Sequence, residues 1–136
     1  MSAERAFLDT NILVYAYTDD PRRTGIAEAL MLAGGLVSVQ VLNEFCAVAR
    51  GKLNLPWNRI ETALASIRLF CGEPLPLNSE TQERAFSLAW GHNLHIYDAN
   101  IVAAAQLADC SILYSEDLQH GRRFDRLVVK NPFATA

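Results

Sequence analysis

Short apolar runs alternate along the chain with longer stretches in which apolar positions recur every three or four residues. The short runs are RAFLD (Arg5–Asp9), LVSV (Leu36–Val39), PLPL (Pro74–Leu77), SILYS (Ser111–Ser115) and RLVV (Arg126–Val129). Bounded by turn residues, they predict buried strands, and the longer stretches predict helices near 11–17, 23–33, 40–51, 57–71, 80–91 and 98–109. Strands interleaved with helices give the α/β class with a mainly parallel sheet. Ser79 followed by Gln82 has capping-box spacing for the fifth helix, and Gly91 stands where its C-terminal cap belongs. In the fourth helix Ile60, Ala63, Leu64, Ile67, Phe70 and Cys71 form one stripe, expected to pack on the protein's own sheet. Pairs of helices join the second run to the third and the third to the fourth. That exceeds a simple doubly wound unit, and the surplus is expected to form an arm or a dimer surface.

Acids interrupt this pattern at four places. In AFLDTNILVYA, Asp9 ends the first strand, and in open α/β sheets that edge is where a crevice opens. Asp117, just past SILYS, reaches the same edge, and Asp98 opens DANIVAAAQLA, whose Ile101, Val102 and Ala105 form the inward face. Glu44 lies in mid-helix, with Gln40, Val41, Ala47 and Val48 three or four positions away and no Lys or Arg at that spacing. A buried carboxylate without a cation is costly or takes up a proton. Helix capping accounts for Asp9 or Asp98 taken singly, and a turn for Asp117, but neither accounts for Glu44. Gathered at one edge, four like charges imply a positive object among them, and hard oxygen ligands fit Mg²⁺ or Mn²⁺. Thr10, Asn11, Ser38 and Ser115 would add neutral hydrogen bonds at the rim. Such a site suits metal-assisted hydrolysis of a phosphodiester.

Composition narrows the setting. With 136 residues and 51% hydrophobic positions, one domain over 1–136 with one core is expected. A net charge of −3 announces no global attraction to nucleic acid or membrane. Eight of the twelve Lys and Arg nevertheless fall in three groups, Arg22/Arg23, Arg50/Lys52 and Arg122/Arg123/Arg126/Lys130. Of these, Arg50, Lys52, Arg122 and Arg123 are the candidates for positioning a phosphate backbone. Cys46, Cys71 and Cys110 are odd in number and lie in apolar segments, as small buried residues of a reducing compartment do. With no charged-then-apolar leader and no apolar run near the ~20 residues of a bilayer span, a soluble cytoplasmic protein is expected.

Other motifs carry less. His92-x-x-His95 lacks the Glu and the spacing of a zinc-protease helix, and Gly34-Gly35 is a turn without a phosphate-loop pattern. Ser115, Asp117 and His120 crowd one short loop with no nucleophile elbow. Trp57 and Trp90 are expected in the core or a groove.

On FLDTNILVYA, SVQVLNEFCAVARGKL and IYDANIVAAAQLADCSILYSEDLQHG, the chain resembles the PIN-domain nucleases, and among them the VapC-type toxins. The acids are separated by 35, 54 and 19 residues, and the likeness extends over roughly residues 5–130. The resemblance implies a PIN-like three-layer domain with a central five-stranded parallel sheet flanked by helices. It implies a divalent-metal-dependent endoribonuclease, often dimeric and inhibited by a cognate antitoxin, with Asp9, Glu44, Asp98 and Asp117 as the acidic quartet. In mechanism, water would attack the scissile phosphate while one or two ions offset the added charge. Many relatives carry Thr-x-Asp where Ser115-Glu116-Asp117 stands here, and strand alternation points Glu116 away. Two other readings differ in kind. A phosphatase using Asp9 as nucleophile lacks its second acid, because Asn11 stands there. A non-catalytic RNA- or protein-binding module has no reason to gather acids against a polyanion.

Overall fold

A computed structural model describes residues 4–134. β1 (Ala6–Leu8) runs directly into α1 (Thr10–Ala16), followed by α2 (Pro21–Leu32), α3 (Val39–Gly51), α4 (Trp57–Cys71), α5 (Ser79–His92) and α6 (Ile96–Leu107). β2 (Ile112–Tyr114), β3 (Arg123–Phe124) and β4 (Leu127–Lys130) complete the chain. The sheet order is β1-β2-β4-β3, with β1, β2 and β4 parallel and β3 antiparallel to β4. Phe7 and Leu8 are both fully buried, although successive strand residues face opposite ways, so both faces of the sheet are covered. Ile12, Leu13, Val41, Phe45, Ile67 and Val102 belong to the same core.

The α/β architecture with a mostly parallel sheet is as expected, but the five full parallel strands are not. LVSV and PLPL extend the sheet beyond β1 by single bridges, Phe7 with Leu36 and Ser38 with Leu75. Two causes are local. Ser38 caps α3 and turns the chain into a helix at Val39, while Pro74 and Pro76 have no N–H to continue a ladder. β3 is an addition, joined to β4 by a tight turn with Asp125 at φ 57°.

Helix ends are shifted by one or two residues. α5 is capped by Asn78, one residue before the predicted Ser79, and ends past Gly91 at left-handed Asn93, φ 54°. α6 begins at Ile96, capped by the ring of His95, so Asp98 sits inside its first turn and is not its cap. The α4 stripe buries Ile60, Ala63, Ile67 and Cys71, leaving Phe70 exposed. α4 packs on α2 and α3, and α5 packs on α6. Trp57 and Trp90 are surface residues, 63% and 80% exposed, contrary to expectation. The three cysteines stand free, and no described helix is long and apolar enough to cross a membrane.

Candidate active site

β1 and β2 are adjacent and parallel, so the residues that follow them, Asp9 and Ser115, come together. Ser115 Oγ donates to Asp9 Oδ2 at 2.8 Å, and the Thr10 N–H donates to Asp9 Oδ1 at 2.7 Å. Asp9 therefore caps α1. Capping does not account for its burial, since Asp9 is only 4% exposed and neither ion pair among the described residues includes it. Burial pushes its pKa from 3.8 to about 7, and the charges of Asp117 and Glu44 add to the rise.

Glu44 enters from α3. Its Oε2 accepts from Thr10 Oγ1 at 3.1 Å, so one threonine joins two acids, through its backbone to Asp9 and through its hydroxyl to Glu44. Glu44 is half-buried at the margin of the α3 apolar face, which is made by Val41, Leu42, Phe45 and Ala49. Burial first, then the charges of Asp98 and Asp117, raise its pKa. Asp98 is raised by burial and by Asp117, with His95 acting the other way. Each of the four acids is thus raised by at least one of the others or raises one, and among the described residues none pairs with Lys or Arg.

The loop after β2 is fixed by Ser115 and Asn11. Ser115 is fully buried, and its Oγ accepts the N–H groups of Asp117 and Leu118, both at 3.2 Å. Asn11 Oδ1 accepts the Glu116 N–H at 3.1 Å, and its Nδ2 donates to Asp117 Oδ2 at 3.2 Å and, more weakly, to Asp9 Oδ2 at 3.5 Å. Only one orientation of the amide satisfies all three partners. Glu116 faces elsewhere: Tyr15 Oη donates to its Oε1 at 2.7 Å, and Arg23 Nε lies 3.5 Å from its Oε2. Tyr15 and Arg23 were not legible as partners of this loop, because no sequence pattern links α1, α2 and residue 116.

Among the predicted rim residues, Thr10, Asn11 and Ser115 bond the acids. Ser38 does not, because its hydroxyl accepts from the Val41 N–H at 3.2 Å. The basic candidates lie apart from this network. Lys52 and Arg123 are exposed, Arg50 donates to the Leu55 carbonyl and stacks 5.0 Å from the Trp57 ring, and Arg122 donates to the His92 carbonyl and lies over Phe124. His120 accepts from the Asn131 N–H and so forms no triad with Ser115. A cleft of about 650 Å³ is at the opposite end of the strands, where Arg5, Arg84 and Arg126 alternate with Glu4, Asp109 and Asp125.

Four carboxylates without a cation have the donor chemistry of a Mg²⁺ or Mn²⁺ site. Among the described residues no three His, Cys, Asp or Glu side chains are close enough to form a ready ligand set for one ion. Mg²⁺ characteristically takes one or two carboxylates and keeps several waters, so the donor set remains compatible with it.

Comparison with known proteins adds the lineage. No curated protein matches the chain in sequence. Its fold is similar to that of VapC20 from Mycobacterium tuberculosis, a Sarcin-Ricin loop cleaving toxin, with a TM-score of 0.65 and 21% sequence identity over 82% of this chain and 89% of that one. In sequence, residues 6–127 match the PIN domain family, a stretch that takes in all four acids. The chain belongs to the PIN domain family.

Proposed function

We propose that this chain is a Mg²⁺- or Mn²⁺-dependent endoribonuclease and the toxin half of a type II toxin–antitoxin pair. The observation that carries the reading is the unpaired acid cluster of Asp9, Glu44, Asp98 and Asp117, with burial and mutual repulsion raising the pKa of the first three. Asp9, Glu44, Asp98 and Asp117 would surround the cation, one or two as direct ligands and the others through the waters it keeps. When bound, the ion would supply the positive charge the carboxylates lack, lowering the pKa of water and offsetting charge on the scissile phosphate. Thr10 and Asn11 orient the acids, and Ser115 holds both Asp9 and the Asp117 loop. Lys52 and Arg123 are the better supported of the RNA-positioning residues because they are free at the surface, with Arg50 and Arg122 as flanking contacts.

An RNA substrate is supported by the family and by the fold shared with a Sarcin-Ricin loop cleaving toxin. A cognate antitoxin and a homodimer are proposed as partners, in a cytoplasmic setting. Phe86 and Trp90 on α5, 53% and 80% exposed with ring centroids 5.8 Å apart, support a protein contact there. The test is incubation of a mixed RNA pool with the native chain and with Asp98→Asn, each with and without Mg²⁺. Cleavage is expected only from the native chain with the metal. Equal cleavage by the variant, or cleavage unaffected by a chelator, overturns the reading.

A further inference from the structure

We propose that Glu116 is a positioning residue, gripped outside the acid cluster by Tyr15 and Arg23 so that Ser115 and Asp117, on either side of it, stay inside. Only its activity readout rests on the nuclease reading above. β2 ends at Tyr114 and residues 116–118 bend, with the Ser115 hydroxyl accepting the Asp117 and Leu118 N–H groups, so the direction of Glu116 is set by the groups that hold it and fixes where the bend carries Asp117. The grip is built from three parts of the fold. Tyr15 on α1 donates its hydroxyl to Glu116 Oε1 at 2.7 Å. Arg23 on α2 brings Nε to 3.5 Å from Oε2, near enough for ion pairing although without hydrogen-bond geometry. The segment after β4 backs both, because the Tyr15 ring packs edge-on against Phe133 at 4.9 Å and Arg23 lies near both rings. Arg23 is fixed in turn by Asp20 Oδ2 at 3.2 Å, and Phe133 by the Arg22 bond to its carbonyl at 2.8 Å.

From the grip, position passes inward along hydrogen bonds. Asn11 and Tyr15 are one turn apart on α1, so one helix face touches Glu116 twice, at its N–H through Asn11 and at its carboxylate through Tyr15. With its oxygen occupied by that N–H, the Asn11 amide must aim its NH₂ at Asp117 and Asp9. Arg23 matches the charge of Glu116, which would otherwise be a fifth free carboxylate beside four that already repel.

The test uses the full chain, free of metal and RNA, and reads amide hydrogen exchange at Glu116, Asp117 and Leu118. Tyr15→Phe removes the hydroxyl and leaves the ring stack. Exchange at these amides is expected to quicken about fivefold to tenfold, with β1 and β2 unchanged. In the cleavage assay kcat should fall while KM for RNA holds. Glu116→Gln, which still accepts from Tyr15, should retain more kcat than Glu116→Ala. Unchanged exchange at the three amides overturns the proposal whatever the activity does, and so does uniform quickening across the core, which signals general destabilisation. Local quickening in a chain that cleaves no RNA supports the clamp and sinks the nuclease reading instead.

Discussion

Asp9 and Asp20 have the same local job in different surroundings. Each is the N-cap of a helix, Asp9 accepting from the Thr10 N–H at the start of α1 and Asp20 from the Arg23 N–H at the start of α2. Asp20 lies at the surface with Arg23 3.2 Å from its carboxylate, and that hydrogen-bonding residue keeps its pKa below the ordinary value. Asp9 is buried without a cation, beside acids that repel it, and its pKa is pushed up to about 7. Capping needs only the first arrangement. The second costs stability, and the cation site proposed above would supply a physical reason to keep it.

The largest expected effect follows from that difference. Asp9→Asn keeps the shape and removes the charge, so RNA cleavage should fall by about a thousandfold or more, as when a principal electrostatic contributor is lost. A single-turnover assay at saturating Mg²⁺ checks it. Activity within tenfold of native would reduce Asp9 to a cap like Asp20.

Next in size is the dependence of stability on pH. Because the folded-state pKa of Asp9 lies above the unfolded value of 3.8, the folded chain binds the proton more tightly. Its stabilising contribution is complete below about pH 4 and is lost as pH rises through about 7. At pH 8 without metal, Asp9→Asn is expected to be the more stable protein by roughly 1–3 kcal/mol, the gain being trimmed by hydrogen bonds that an amide cannot replace. Urea unfolding across pH 4 to 8 measures this. Added Mg²⁺ should stabilise the native chain and not the variant.

Much of this was readable in the chain. Strand ends and their acids are legible because burial writes an apolar run and the fold puts the ends of parallel strands at one edge, where Asp9 and Asp117 share the Asn11 amide. Glu44 stands out as an uncapped mid-helix acid with no Lys or Arg at helical spacing, although the buried face of α3 runs through Val41, Leu42, Phe45 and Ala49 and leaves Glu44 at its margin. Less legible were features decided by single bonds between distant residues. Nothing near Tyr15 announces Glu116, 101 positions away. The bridges that replace two strands depend on where Ser38 stops extending and on two prolines. The caps of α5 and α6 were misplaced because Asn78 and His95 compete with equally good polar neighbours.

Ser115→Ala tests how the loop and the acid share one hydroxyl. That oxygen donates to Asp9 and accepts from two backbone N–H groups, so its loss leaves two buried groups and one part-buried group short of a partner. Destabilisation of about 2–3 kcal/mol is expected at pH 5, together with a further rise in the Asp9 pKa. Carbon-detected NMR titration of the Asp9 carboxyl follows the second effect, and an unmoved value would mean that burial alone sets it.

The smallest effect is at the other cap. For Asp20 the folded pKa is depressed, so its contribution is present above the ordinary carboxylate range and is lost as pH falls through it. Asp20→Ala should lower the melting temperature at pH 7 by about 3 °C, less in high salt, where Arg23 is screened, and hardly at all once the carboxylate is protonated. Replacing two N-cap aspartates is therefore expected to move stability in opposite directions above neutral pH, down at Asp20 and up at Asp9. Melting curves of both variants at pH 8 decide it. A loss at both would show that the Asp9 cap outweighs its confinement, leaving no electrostatic strain at this edge for a cation to relieve.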